Sequence, residues 1–227
     1  ISLKIKPGET IGIIGLTGSG KSTFLRLLNN SLNISSGYLK LYGEDIRKYD
    51  PSFLKSNITY VCQKPDFITS TIFENIALGR DTSEEEIQKS LELSIASEFV
   101  NQKENSLNFV LQNNASNLSG GQKQRLSIAR AIAINPEILV FDDSFSALDM
   151  KTDKILREEL AKRTKDKTVI IVAQRISTIM NADQIIVLDE GKIVGKGTHE
   201  ELLESCETYK QIALSQLSKE ELENGRE

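Results

Sequence analysis

Short apolar runs alternate with helically spaced segments along the chain, a pattern that predicts an α/β architecture. Ile11–Ile14 reads as a strand bounded by glycines. Lys21–Leu28 reads as a helix with Leu25 and Leu28 on one face. A short strand is expected at Tyr38–Leu41, between Gly37 and Gly43. Asp50-Pro51 pairs an N-cap with proline at the first helical position, so a short helix is expected over Pro51–Lys55, followed by a strand at Ile58–Val61. Ser83-x-x-Glu86 is a capping box, with Ile87, Leu91 and Ile95 expected on one helical face behind it. Strand signals resume at Ile138–Phe141, Thr168–Val172 and Ile185–Leu188. Glu190-Gly191 reads as a turn into Lys192–Val194, and Thr198-x-x-Glu201 as a second capping box ahead of Leu202 and Leu203. The region from about residue 64 to 120 reads as mainly helical and lacks strong strand signals. It is expected to belong to a helical subdomain, about 64–130, inserted into a domain spanning 1–217, with 218–227 as a charged, frayed tail.

The first chemistry lies between the first strand and the first helix. Gly15-Leu16-Thr17-Gly18-Ser19-Gly20-Lys21-Ser22-Thr23 matches G-x-x-x-x-G-K-[ST] in the strand–loop–helix context that the motif requires. Successive backbone N–H groups in such a loop, together with the helix N-terminus, form a nest for an anion. Lys21 can reach terminal phosphates, and the Ser22 hydroxyl can ligate Mg²⁺. Ile138-Leu-Val-Phe-Asp142 fits the second phosphate element, four apolar residues ending in an acid that holds Mg²⁺ through its water shell. Alone, a buried strand ending in Asp is a weak signal; behind a phosphate loop it gains weight.

Composition narrows the alternatives. The net charge of −4 disfavours a nucleic-acid-coating role, so no nucleic-acid partner is expected. The two cysteines, Cys62 and Cys206, form neither a C-x-x-C motif nor a disulfide framework, as expected in a reducing compartment. The densest apolar stretch, Thr168–Ala173, is strand-sized and far short of a membrane span. The chain opens on Ile1 without an initiator Met and reads as a piece of something longer. The single histidine, His199, excludes a His-based metal site and leaves one candidate imidazole, at an expected helix start.

Leu118-Ser119-Gly120-Gly121-Gln122, between the phosphate loop and the Ile138–Asp142 strand, closely resembles the signature of ATP-binding-cassette (ABC) proteins. Other family elements follow in order. Gln63 stands in the Q-loop position, Ser146-Ala-Leu-Asp149 looks like the D-loop, and Thr71–Ile76 and Gly197–Leu203 resemble exporter segments. The likeness covers essentially all but the tail. It implies a P-loop NTPase core of the ABC ATPase fold, with an inserted α-helical subdomain and a small antiparallel β element. ATP and Mg²⁺ are the implied cofactors. The resemblance places Gly15–Thr23 and Asp142 on the nucleotide and Ser22, Gln63 and Asp142 on Mg²⁺. Family members dimerise head to tail, so Ser119, Gly120, Gly121 and Gln122 would serve the ATP held by a partner's phosphate loop. A second nucleotide-binding domain and an upstream transmembrane domain are the implied partners, at the cytoplasmic face of a membrane. The family's adenine-stacking aromatic lies upstream of the loop; Ile1–Ile14 contains no aromatic, so that residue is expected outside this chain.

Three departures sharpen the resemblance. The residue after the Walker B Asp, normally Glu, is Asp143, one methylene shorter. Misplacing a reacting group by about 1 Å can cost on the order of 100-fold in rate. The switch position, normally His, is Gln174 in Ala173-Gln174-Arg175-Ile176-Ser177-Thr178. Gln can donate a hydrogen bond to a γ-phosphate but cannot become a cation. The acidic, glycine-containing segment usual before the signature is replaced by Val110–Asn117. The binding residues are kept while two hydrolytic positions, Asp143 and Gln174, are altered. With Gln63 they form the expected catalytic set. This resembles the degenerate-site subunit of a heterodimeric exporter, with a different chain as partner. A soluble ABC ATPase and a non-catalytic ATP-binding regulatory module are the alternatives. The transported substrate is not encoded in this domain.

Overall fold

The β-branched runs build a six-stranded sheet. In the computed structural model, which describes residues 1–217, the order is β1 (Thr10–Ile14), α1 (Lys21–Leu28), β2 (Lys40–Leu41), β3 (Glu44–Asp45), α2 (Pro51–Asn57), β4 (Ile58–Val61), α3 (Ile72–Ala77), α4 (Glu84–Leu93), α5 (Ser97–Asn101) and α6 (Gly120–Ile134). There follow β5 (Ile138–Asp142), α7 (Met150–Arg163), β6 (Thr168–Val172), α8 (Ile176–Ile179), β7 (Gln184–Asp189), β8 (Lys192–Gly197), α9 (His199–Ser205) and α10 (Glu207–Gln216). The expected tail, 218–227, lies outside the described residues.

The sheet order is β4-β5-β6-β1-β7-β8, parallel from β4 to β7, with β8 antiparallel at the edge. Parallel strands are covered on both faces, which accounts for near-continuous apolar runs such as Val169–Val172. One face carries a core of Ile14, Phe141, Leu156, Ile171, Val187 and Tyr209; the other carries Ile13, Leu25, Val140 and Ile186. A third core joins Ile72, Ile76, Ile87, Leu91 and Leu111 in the helical region. Helix α6 straddles two of them, with Leu126 and Ala129 on the helical side and Ile128 and Ala131 on the sheet side.

The fold is the expected mixed α/β architecture with a parallel-dominated sheet. Four local readings change. The strand expected at Tyr38–Leu41 reduces to Lys40–Leu41, because the antiparallel pair closes at once through Tyr42 (φ 50°) and Gly43 (φ 88°). Two successive residues of positive φ make the tight turn favoured between antiparallel strands. The strand after Glu190-Gly191 runs three residues past Val194, paired along β7. Ile95 does not continue the α4 face: the helix ends at Leu93 with Ser94 as its cap, and Ile95 takes φ 56°. The Ala96 N–H donates to the Leu91 carbonyl at 2.7 Å and the Ile95 N–H to the Glu92 carbonyl at 3.0 Å. This is a Schellman stop with isoleucine where glycine is usual. Arg125 of α6 donates to the Ile95 carbonyl at 2.7 Å, holding that turn from outside the helix. Finally, α7, α8 and α10 were not anticipated. Asp149 caps α7 by accepting from the Thr152 N–H, and Leu156 and Leu160 bury its inner face.

The Val110–Asn117 segment is held both by its own side chains and by the chain around Phe67–Thr71. Asn117 accepts from the Gln112 N–H and donates to the Val110 carbonyl, while Asn114 accepts from the Phe67 N–H.

Candidate nucleotide site

The chemistry-bearing residues gather at the carboxyl ends of the parallel strands, where open α/β sheets bind ligands. Gly15 follows β1, Gln63 follows β4, Asp142 ends β5 with Asp143 behind it, and Gln174 follows β6. Because β6 lies between β1 and β5, the Gln174 loop rises between the phosphate loop and the acidic pair.

The Gly15–Thr23 loop is supported from below. A Cβ on Gly15 would collide with the Leu188 carbonyl of β7, so only glycine lets the loop leave the sheet there. The turn between β7 and β8 docks against the loop, the Gly191 N–H donating to the Ser19 carbonyl at 3.0 Å. Helix α1 starts behind Gly20, which brings no side chain to cap it, so the first N–H groups of α1 have no side-chain acceptor. An uncapped N-terminus fed by a glycine-rich loop is a fit for a phosphate. Lys21 folds back on the loop, donating to the carbonyls of Gly15 at 2.6 Å and Leu16 at 2.9 Å. Burial lowers the Lys21 pKa, opposed by Asp143 and Asp142. Burial raises the Asp142 pKa, reinforced by Asp143 and opposed by Lys21. The ammonium and the acids thus sit within electrostatic reach of each other.

Ser22 is exposed at the start of α1, and Asp142 is half-buried at the end of β5. Among the described residues, no cluster of three or more His, Cys, Asp or Glu could cage a metal on its own. That donor set suits Mg²⁺, which keeps waters and phosphate oxygens and takes only one or two protein ligands. A cleft of about 850 Å³ opens over the loop, large enough for a nucleotide. Ile14–Gly18, Gly20–Thr23, Gln174 and Asp189 form one side of it. Thr208, Gln211, Ile212, Ser215 and Gln216 of α10 form the other.

The acidic pair divides. Asp143 is buried, takes φ 46°, and its N–H donates to the Val172 carbonyl at 2.8 Å. Its Oδ2 accepts from both Gln63 Nε2, at 2.8 Å, and Gln174 Nε2, at 2.7 Å. The three residues expected to be catalytic therefore meet at one oxygen. Both of those donors are neutral side-chain amides.

The signature residues form the N-terminus of α6. Ser119 accepts from the Gln122 N–H at 3.3 Å, and Gln122 Oε1 accepts from the Ser119 N–H at 3.0 Å, a reciprocal capping box. None of Ser119–Gln122 lines the cleft. One turn on, Gln124 donates to the Cys62 carbonyl at 3.2 Å, tying the signature helix to the residue before Gln63. Asp149 is exposed and spent on the α7 cap.

His199, the first residue of α9, is buried. Its Nδ1 lies 2.7 Å from the Tyr209 hydroxyl, and the two rings meet edge to face at 5.7 Å. Burial lowers its pKa, opposed by Glu200. It joins α9 to α10, and it does not line the cleft. Sequence reasoning missed the α10 wall of the cleft. The spacing of Tyr209, Ile212 and Ala213 carried a helical signal, but nothing in it pointed toward the phosphate loop.

The family profile described as ABC transporter matches residues 1–146. The "ATP-dependent lipid A-core flippase" of Vibrio vulnificus (strain YJ016) is 39% identical over 214 residues, which make up 93% of this chain and 37% of that protein. "ABC transporter B family member 21" of Arabidopsis thaliana is 40% identical over 213 residues, 93% of this chain and 16% of that protein. Among solved structures, one titled "Structure of a bacterial Atm1-family ABC exporter with ATP bound" superposes with a TM-score of 0.90 at 32% identity, over 94% of this chain and 38% of that one. The chain thus spans well under half the length of the proteins it matches.

Proposed function

The chain belongs to the ABC transporter family, and from that premise we propose that it is the nucleotide-binding domain of a membrane exporter whose own site binds Mg-ATP but hydrolyses it slowly. Lys21 and the N–H groups of the Gly15–Thr23 loop hold the phosphates. Ser22 and Asp142 hold Mg²⁺, with Gln63 beside it. Bound Mg²⁺ supplies charge neutralisation at the phosphates. Asp143 and Gln174 occupy the hydrolytic positions. Ser119–Gln122 complete the site on a partner domain, a different chain carrying Glu and His at those two positions. The pair works at the cytoplasmic face of a membrane, attached to a transmembrane domain. No helix among the described residues is long and apolar enough to cross a membrane.

One observation carries this reading. The Asp143 carboxylate, short by a methylene, has an oxygen committed to two neutral amides. A water-polarising base must reach the attacking water and be free to take its proton. A carboxylate drawn back onto Gln63 and Gln174 does neither well, and Gln174 brings no positive charge to the γ-phosphate. Loss of general-base help costs about 10²–10⁴-fold.

The test is restoration. Asp143→Glu combined with Gln174→His should raise ATP hydrolysis measured on the assembled transporter, with ATP affinity little changed. An unchanged rate with intact binding would defeat the slow-site reading.

A further inference from the structure

Helix α8 begins directly after the Gln174 loop, yet Arg175 at its N-cap supplies no side-chain acceptor for its first N–H groups. The acceptor comes from elsewhere. Gln216, the last residue of α10, accepts from the Ile176 N–H through Oε1 at 2.8 Å and donates from Nε2 to the Gln174 carbonyl at 2.8 Å. Arg175 is extended, at φ −103° and ψ 130°, so the Gln174 carbonyl and the Ile176 N–H point to the same side. The Gln216 amide pairs with them as a neighbouring strand would, one donor and one acceptor at matched spacing. Two bonds to a single planar amide fix position and orientation together.

The other end of α10 is fixed independently. Tyr209 is fully buried and lies against His199, and Ile212 and Ala213 pack in the sheet core. Gln211 and Ser215 between these anchors, and Thr208 just before them, line the same cleft as the Gly15–Thr23 loop. The helix is therefore a rigid strut with one flank on the nucleotide cleft and its tip on the loop that aims Gln174 at Asp143.

We infer that Gln216 is a positioning residue for the nucleotide site: it clamps the backbone on both sides of Arg175 and so sets where the Gln174 side chain points. The inference rests on Gln174 working at the nucleotide, but not on the site being slow. Its observable is the Ile176 amide, which can be read without any turnover.

The experiment is hydrogen–deuterium exchange, resolved to single amides, on the full-length protein with its partner and no nucleotide. Gln216→Ala should speed exchange at Ile176 by roughly two- to tenfold, the loss of one ordinary hydrogen bond, with Ile212 and Ala213 still protected. Gln216→Glu keeps an acceptor for Ile176 but turns a second carboxylate oxygen, in place of the donor, toward the Gln174 carbonyl. It should hold Ile176 exchange near the wild-type rate while the Gln174 side-chain amide resonances shift. Unchanged Ile176 exchange in Gln216→Ala overturns the clamp. So does loss of protection at Ile212 and Ala213 together with Ile176, since the effect would then be general loosening of α10.

Discussion

Gln174 and Asp143, 31 residues apart in the chain, meet through an Nε2–Oδ2 hydrogen bond of 2.7 Å, and Gln63 ends on the same oxygen from 80 residues away. Three loops that leave three different strands are thereby joined at one atom. The geometry makes Asp143 both the hydrolytic candidate and a structural keystone, and the two roles compete for the same lone pairs.

That sharing predicts non-additivity. Gln63→Ala or Gln174→Ala alone leaves Asp143 with one amide donor, whereas the double variant leaves a buried carboxylate with neither. The second removal should cost more than the first, with a coupling of about 0.5–3 kcal/mol. Urea unfolding of the wild type, both single variants and the double variant measures it. Strict additivity would mean that the two amides do not act on a common oxygen.

Lys21 predicts the loss on the binding side. Its ammonium is partly buried and held by two loop carbonyls, so a phosphate has to displace those bonds. Lys21→Met should weaken ATP binding by about 10- to 150-fold, the value of one hydrogen bond to a charged group. Equilibrium titration with a fluorescent ATP analogue reads this directly, and an affinity within a factor of two of wild type would remove Lys21 from the phosphate site.

His199 predicts an acid-side stability loss. Burial holds its pKa below the ordinary 6.5, so in the folded state the ring stays neutral where the unfolded chain takes up a proton. The unfolded state then binds more protons, and stability falls as pH drops below about 6.5, levelling off only below the folded pKa. Melting temperature should fall more steeply between pH 7 and pH 5 in the wild type than in His199→Phe. The variant should start lower at pH 7.5, because the buried Tyr209 hydroxyl loses its partner. Parallel pH profiles would show that His199 is not the titrating group.

Gly12 predicts a packing defect beneath the same loop. A Cβ there would stand 2.8 Å from the Ile179 Cβ, where α8 crosses β1. Gly12→Ala should destabilise the domain by about 1–3 kcal/mol through overpacking. Ile179→Val should not rescue it, because the clashing Cβ remains. Thermal unfolding of the three variants checks this.

These features divide by how local they are. The strand–loop–helix course of Gly15–Lys21 and the capping boxes were legible because each depends on residues a few positions apart. Ser83-x-x-Glu86 and Thr198-x-x-Glu201 cap α4 and α9 as their spacing predicts. The apolar periodicity through Ile95 runs past the end of α4 at Leu93. The stop is made by an isoleucine in a left-handed conformation, with Arg125 30 residues on bonded to its carbonyl. Helix α7 carries a local signal in the Asp149 cap and in Leu156 and Leu160, four apart on its buried face. The meeting of Gln63, Asp143 and Gln174 at one oxygen was not legible at all. Nor was the reach of Gln216 across 42 residues to the Gln174 carbonyl. Such contacts depend on strand order, which no run of neighbouring residues encodes.

The central claim is that this chain's phosphate loop holds ATP without promptly hydrolysing it. The most direct measurement is the chemical state of the nucleotide at each loop of the assembled transporter. The complex is incubated with radiolabelled 8-azido-ATP and Mg²⁺ for several turnovers and then photo-cross-linked. The two chains are separated, and ATP and ADP are quantified on each. The account predicts mainly ATP on this chain and mainly ADP on its partner. ADP formed on this chain as fast as on the partner would contradict it.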